Sequence, residues 1–469
     1  MLSRRTAVSS MLAAALAPPH AEAETVTVLR VQRLNIEVNG KSASRLSISQ
    51  PDGRQGLMTS VGRQFRTRVE NQLDVPTLIH WHGLAPPWQQ DGVPGISSPP
   101  IAPGASAEYD FPLGFGGTFW MHSHQGLQEQ ELLAAPLIIS DSRDQRGQQD
   151  IVVMLADFSF TPPEQIFEGL RKGGMKMPAA RTMSMGSAGS GIKPAAAPAG
   201  PDLNDVKYDA FLANDRTLAD PEVIRVETGG TVLLRIINSS SMSAYHVDLG
   251  TLTGELIAVD GSRVAPITGR RFPIAVAQRL DIRVRIPKTR AAHPVLAILE
   301  GERNQSGVIL QGGNATVRRL PELATTPTSA LTLELEQSLR AIEPLTPRKA
   351  DRVHQLNLTG NMDGYVWSIN GVAWNNDVPP LPIAKGERVE LVFENQTPMP
   401  HPMHLHGHTF QVVEIDGKRF AGARRDTVLV TPKSRVVVAF DADNPGWWAL
   451  HCHLLYHLDA GMFTTLRYV

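Results

Sequence analysis

Arg388-Val389-Glu390-Leu391-Val392-Phe393-Glu394-Asn395 is an alternating run closed by asparagine, and a short turn after it leads to His404. Alternation of this kind sends one face of a strand into a core and the other into water. The same arrangement occurs twice earlier. Gln64-Phe65-Arg66-Thr67-Arg68-Val69-Glu70-Asn71 precedes His80, and Val232-Leu233-Leu234-Arg235-Ile236-Ile237-Asn238 precedes His246. Each copy is followed by a second alternating strand, at Ala107-Glu108-Tyr109-Asp110-Phe111, Arg279-Leu280-Asp281-Ile282-Arg283-Val284 and Ser434-Arg435-Val436-Val437-Val438-Ala439-Phe440. A repeat of short strands at this scale predicts an all-β fold of three tandem units, each a Greek-key β-sandwich or barrel. The 39 glycines and 35 prolines, spread along the chain, fit short strands joined by turns.

The length of 469 residues suits about three domains. The expected units are 24–142, 143–322 and 353–469, with a polar linker at 323–352. A Met-, Ala-, Gly- and Pro-rich insertion at 173–201 inside the second unit reads as a flexible loop. Residues 1–23 read as an export signal: Arg4-Arg5, an apolar run from Val8 to Ala17, then Ala21-Glu22-Ala23 as a cleavage site. The paired arginines suggest the twin-arginine route, which carries folded proteins with cofactor inserted, and so a periplasmic destination. No later stretch holds the ~18 apolar residues of a membrane span. A formal charge of −1 argues against a nucleic-acid partner, and a monomer is expected.

Cys452 is the single cysteine, which excludes an internal disulfide. A lone thiol in an oxidising compartment needs something to occupy it. Its neighbours are histidines.

Fifteen histidines placed at random would give roughly half an HxH pair. The chain has His80-Trp81-His82, His122-Ser123-His124, His404-Leu405-His406 and His451-Cys452-His453, with His406/His408 as a fifth such spacing. In a strand, residues i and i+2 share a face about 6.6 Å apart, so a pair can serve two neighbouring metals. Four pairs drawn from the first and third units would enclose a cluster between domains. Imidazoles without carboxylates suit copper better than magnesium, calcium or manganese, and eight exceed what zinc needs. In the middle unit Tyr245-His246-Val247-Asp248 keeps the strand and lacks the pair, so His246 reads as a core or interface histidine and the unit as a copper-free spacer.

Alternation also splits His451-Cys452-His453, with the thiolate facing away from the two histidines. It would bind a separate metal. His401, His457 and Met462 are at hand, and a thiolate, two imidazoles and a thioether are the ligand set of a blue, electron-transferring copper.

Together, His80-Trp81-His82-Gly83, His122-Ser123-His124, His401-Pro402-Met403-His404-Leu405-His406-Gly407 and His451-Cys452-His453 through His457 to Met462 resemble the four signatures of the multicopper oxidases, which include laccases, ascorbate oxidases and bacterial cuprous oxidases. The resemblance spans nearly the whole mature chain and implies three cupredoxin-like domains holding four copper ions. By it, His401, Cys452 and His457 hold a type 1 copper with Met462 axial, and His80 and His404 hold the type 2 copper. His82, His122, His124, His406, His451 and His453 hold the type 3 pair. It further implies one-electron oxidation of a small reducing substrate, passage of electrons through Cys452 to His451 and His453, and four-electron reduction of dioxygen to water. Asp91, in Asp91-Gly92-Val93-Pro94, matches the family's proton-supplying acid; its structural alternative is a turn aspartate. Many bacterial members carry Glu directly after the histidine that His457 matches; here Leu458 stands there and Asp459 follows, closer to fungal laccases.

The donor is expected beside His457, which the family places near the surface. His122 to Gln130 resembles periplasmic copper-resistance oxidases, and Met399 matches a methionine near the copper-substrate site of cuprous oxidases, which favours Cu(I) and copper tolerance. The acidic partner expected four residues before His401 is Thr397, and the family's methionine-rich insertion in the third domain is missing; Met175, Met177, Met183 and Met185 cluster in the second instead. The other donor class is phenols and aromatic amines. A copper-free exported scaffold would lack ligands, and a copper nitrite reductase would lack the type 3 pairs; neither fits.

Overall fold

A computed structural model of the chain describes residues 26–141, 147–173 and 203–469. The leader 1–23 and Met175, Met177, Met183 and Met185 lie outside the described residues. Three pairs of sheets follow one another. In the first, a four-stranded sheet ordered Lys41–Ser49, Thr27–Val38, Gln64–Asn71, Ser106–Pro112 packs on another ordered Leu57–Ser60, Ala134–Ser140, Gly117–Ser123, Ile79–His82. The second pair has six and five strands and the third seven and five, giving the expected tandem Greek-key sandwiches.

The repeat in sequence is a repeat of topology. Thr27–Val38 runs parallel to Gln64–Asn71, Gln149–Phe158 to Thr231–Asn238, and Arg352–Asn361 to Arg388–Asn395. Each asparagine-ended strand then pairs antiparallel with the alternating strand downstream of it. The asparagine bends the chain toward the opposite sheet. Asn71 donates through Nδ2 to the carbonyls of Val75 and Ile101, both at 2.9 Å, while its Oδ1 accepts from Leu73 N–H at 3.0 Å. Asn395 repeats this with Met399 at 2.7 Å, Val430 at 2.9 Å and Thr397 N–H at 2.9 Å. Such Asx turns mimic a backbone turn and tolerate few other residues.

One buried apolar core runs through the second and third domains, joined by Trp120 and Ile138 of the first, and the first domain keeps its own core around Phe65, Trp81 and Phe111. Much of what lies between the first domain and the others is polar and buried: Thr118, Arg235, Asp281, Arg279, Asp260 and Asp426. His246, in the middle copy, donates from Nε2 to the Ser329 carbonyl at 3.0 Å and so ties the linker down. Among the described residues no helix is long and apolar enough to cross a membrane.

Candidate metal centre

The histidine strands are ordinary ladder partners. His80 stands opposite His122, and His404 opposite His451, so each HxH presents both rings on one face. Met403 stands opposite Cys452, which puts the thiol on the other face, with His401. Period-2 geometry alone divides one short strand between two sites. A glycine closes the strand after two of the pairs, His80/His82 and His404/His406: Gly83 and Gly407 have φ of +88° and +66°, and a Cβ on Gly407 would lie 2.4 Å from the Trp448 ring.

Eight imidazoles meet between the first and third domains in three groups, the first two sharing His82: His80, His82 and His404; His82, His122 and His453; His124, His406 and His451. All but His124 are buried. Burial, with neighbouring histidines next, holds His82, His124, His404, His406 and His453 well below the usual histidine range; burial likewise lowers His122, and takes His451 down to about 3. Neutral imidazole is the ligating form.

Hydrogen bonds fix which nitrogen each ring offers. Nδ1–H of His80 donates to the Asp91 carbonyl at 2.8 Å, that of His404 to the Asp426 carbonyl at 2.9 Å, and that of His451 to the Cys452 carbonyl at 3.0 Å. His406 donates from Nδ1 to Oδ2 of Asp91 at 2.8 Å. His82 is turned the other way, Nε2–H donating to Oδ1 of Asp426 at 3.0 Å. The opposite nitrogens of His80, His82, His122, His404 and His453 are buried with no partner among the described residues. Nε2 of His406 and of His451 are 3.0 Å apart although both rings have spent their proton on the other nitrogen. Lone pairs so apposed repel unless a cation lies between or beside them. The donor set therefore fits metal ions.

The second site lies behind Cys452. Its Sγ is 3.6 Å from Nδ1 of His401 and 3.9 Å from Nδ1 of His457, and the two Nδ1 atoms are 3.2 Å apart. All three side chains are fully buried, and burial pushes the Cys452 thiol up. The short helix Leu455–Asp459 turns the chain back, so that Cys452 N–H donates to the Met462 carbonyl at 3.0 Å and Met462 N–H to the His457 carbonyl at 2.9 Å. Met462 is thereby a buried neighbour of the thiol. Thr397, standing where an acid was expected, meets Nε2 of His401 with its hydroxyl at 2.6 Å.

His457 is 0% exposed, with Asp205 over its edge at 2.9 Å from Nε2. Met399, expected beside the donor, is 1% exposed and its carbonyl is taken by Asn395. The second domain is more than a spacer, since it supplies Asp205 to one site and Arg279 to the other. Arg279 is 0% exposed; it donates to Oδ1 of Asp426 at 2.8 Å, to the Thr118 carbonyl at 3.1 Å and to Oδ2 of Asp426.

Four residues at these sites were not found as site residues from the sequence: Asp205, Arg279, Asp426 and Glu129. Glu129, 4% exposed, has Oε2 at 2.9 Å from Nδ1 of His122. Only Glu129 had a signal, its place in the stretch after His124. Asp91 is 1% exposed and close to His80 and His406, where the sequence placed it. Gly92 permits that approach, for a Cβ there would meet the Ile79 carbonyl oxygen at 1.9 Å. A cavity of about 250 Å³, lined by Val93, Ile96, His124, Trp374, Leu458 and Asp459 among others, reaches the cluster at its one less buried histidine.

Family models described as multicopper oxidase match residues 55–144, 150–317 and 347–469. Multicopper oxidase MmcO of Mycobacterium tuberculosis is 31% identical, covering 97% of this chain and 90% of that protein. A copper resistance protein A homolog of Pseudomonas syringae pv. tomato is 27% identical over 94% of this chain and 91% of its own. The crystal structure of Fet3p, a multicopper oxidase that functions in iron import, superposes with a TM-score of 0.77 at 20% identity, covering 94% and 90% of the two chains, and so shares the fold. The chain thus belongs to the multicopper oxidases, copper-dependent oxidoreductases that couple oxidation of a reducing substrate to reduction of dioxygen to water, and its histidine clusters fit copper sites.

Proposed function

We propose that the chain holds four copper ions in the arrangement expected of its ligands: type 1 at His401, Cys452 and His457 with Met462 axial, type 2 at His80 and His404, and a type 3 pair at His82/His122/His453 and His124/His406/His451. The observation that carries this is the convergence of unprotonated nitrogens in both sites, at 3.0 Å and 3.2 Å. Bound copper supplies the one-electron chemistry and the reduction of dioxygen. The chain positions the ligands, keeps them neutral and links the sites covalently, Cys452 being bonded to one histidine of each type 3 group. The reading keeps a monomer with units at 24–142, 143–322 and 353–469, and the leader supports export to the periplasm by the twin-arginine route.

Asp91 is the acid of the oxygen-reducing site, with one carboxylate oxygen on His406 and the other buried without a hydrogen-bond partner among the described residues. Asp91→Asn should slow oxygen reduction about 10–100-fold and leave the blue absorption intact; unchanged turnover removes Asp91 from the mechanism.

The donor reads best as a phenol or aromatic amine. The Nε2 edge of His457 is enclosed by the buried Asp205 carboxylate, Tyr365 and Trp367, with Trp367 stacked at 4.0 Å on His457. The groups around this edge are a carboxylate, a phenol and an indole, whereas Cu(I) prefers soft sulfur. A second reading, oxidation of Cu(I) in copper tolerance, is favoured by the relative named as a copper resistance protein. Turnover on Cu(I) and on a substituted phenol, for the full chain and for one lacking 173–201, separates them: loss of Cu(I) turnover alone on deletion favours the second reading.

A further inference from the structure

We infer that Glu129 completes a ring of carboxylates, each locking a pair of histidines drawn from the first and third domains, and that it holds the His82/His122/His453 position ready for its metal ion. The inference rests on the copper arrangement proposed above. Asp91 faces His80 of the first domain and His406 of the third. Asp426 faces His82 of the first and His404 of the third. Glu129 repeats the pattern, its Oε2 2.9 Å from Nδ1 of His122 and its Oε1 3.8 Å from Nδ1 of His453. Among the described residues His124 and His451 meet without a carboxylate, and the cavity opens on His124.

The chain around Glu129 is built to aim it. On one side Gln128 accepts from the hydroxyls of Thr77 at 2.9 Å and Ser123 at 2.8 Å, and donates to the Pro76 carbonyl at 2.9 Å. On the other, Gln130 accepts from Tyr208 at 2.7 Å and from Tyr456, a third-domain residue, at 3.3 Å. Asp426 has Arg279 as its counter-ion, whereas among the described residues Glu129 has only histidines at ion-pair distance. Burying a carboxylate with no cation costs several kcal/mol, so its place here suits a cation bound at the rings it faces. Beside this carboxylate, Nδ1–H of His122 donates to the Ser123 carbonyl at 3.0 Å, leaving Nε2 as the metal-facing lone pair. Glu129 is a positioning residue, reaching the metal through two ligands.

The test is Glu129→Gln in the full copper-loaded chain, titrated with a copper chelator while copper per chain and the blue absorption are followed. Glu131→Gln, partly exposed two residues on, is the control. The amide should leave the blue absorption and the Tm of the copper-free protein unchanged, while the trinuclear copper is stripped at about 10–100-fold lower chelator. Glu129→Asp, which keeps the charge, should fall between wild type and Gln. Wild-type copper retention in Glu129→Gln overturns the inference, as does a fall in copper-free Tm that accounts for the copper loss. A wild-type chain that takes up no copper at all overturns the oxidase reading with it.

Discussion

Cys452→Ser is expected to lose the blue absorption and to cut turnover with any donor by more than the ~10–100-fold that loss of an outer partner costs. The reason is local. Cys452 is fully buried, its Sγ is the only sulfur ligand atom in the triangle with the Nδ1 atoms of His401 and His457, and a serine oxygen is both harder and shorter-reaching. The trinuclear histidines should be spared, since His451 and His453 face the other side of the same strand. The variant should therefore keep three of its four proposed copper ions and lose only the site that takes electrons in. Absorption spectra and copper analysis check this. A blue band that survives the substitution would place its origin elsewhere.

Arg279→Ala is expected to destabilise the copper-free protein by about 3–5 kcal/mol, the usual cost of breaking a buried ion pair from one side. Arg279 is held on three sides: the Asp426 carboxylate in the third domain, the Thr118 carbonyl in the first and the Ala277 carbonyl at 3.0 Å in its own. Nearby Arg425 is already paired with Asp260 at 3.1 Å and Glu336 at 2.8 Å, so it does not take Arg279's place. Asp426 would be left charged beside His82, with its hold on that ring weakened. Asp426→Asn on top of Arg279→Ala should recover part of the loss, because the orphaned charge goes with it. Urea midpoints of the copper-free proteins measure both. Equal stability of Arg279→Ala and wild type would mean that solvent already reaches this layer.

Local periodicity carried the ligands and the fold. His451 and His453 part from Cys452 because strands alternate, and Asn71, Asn238 and Asn395 mark their turns because few other side chains fold back on the backbone so well. What lay behind the ligands was not legible. His82 and Asp426 are 344 residues apart, and His457 and Asp205 are 252. Nothing in Arg424-Arg425-Asp426-Thr427 distinguishes a buried clamp from a charged turn. The burial of His457 and Met399 escaped for a related reason: exposure depends on what another domain lays over a residue, and Asp205 comes from the second domain. A histidine pair announces itself within three residues, whereas its carboxylate announces itself only once three domains are assembled.

Electrons from a one-electron donor are expected to pass through Cys452 to the trinuclear site and to reduce dioxygen there without release of partly reduced oxygen. Donor oxidation, oxygen uptake and hydrogen peroxide should be measured together in the copper-loaded chain. About four donor equivalents per dioxygen and no peroxide are expected; about two equivalents with stoichiometric peroxide would mean that reduction stops at two electrons and that the trinuclear arrangement is wrong.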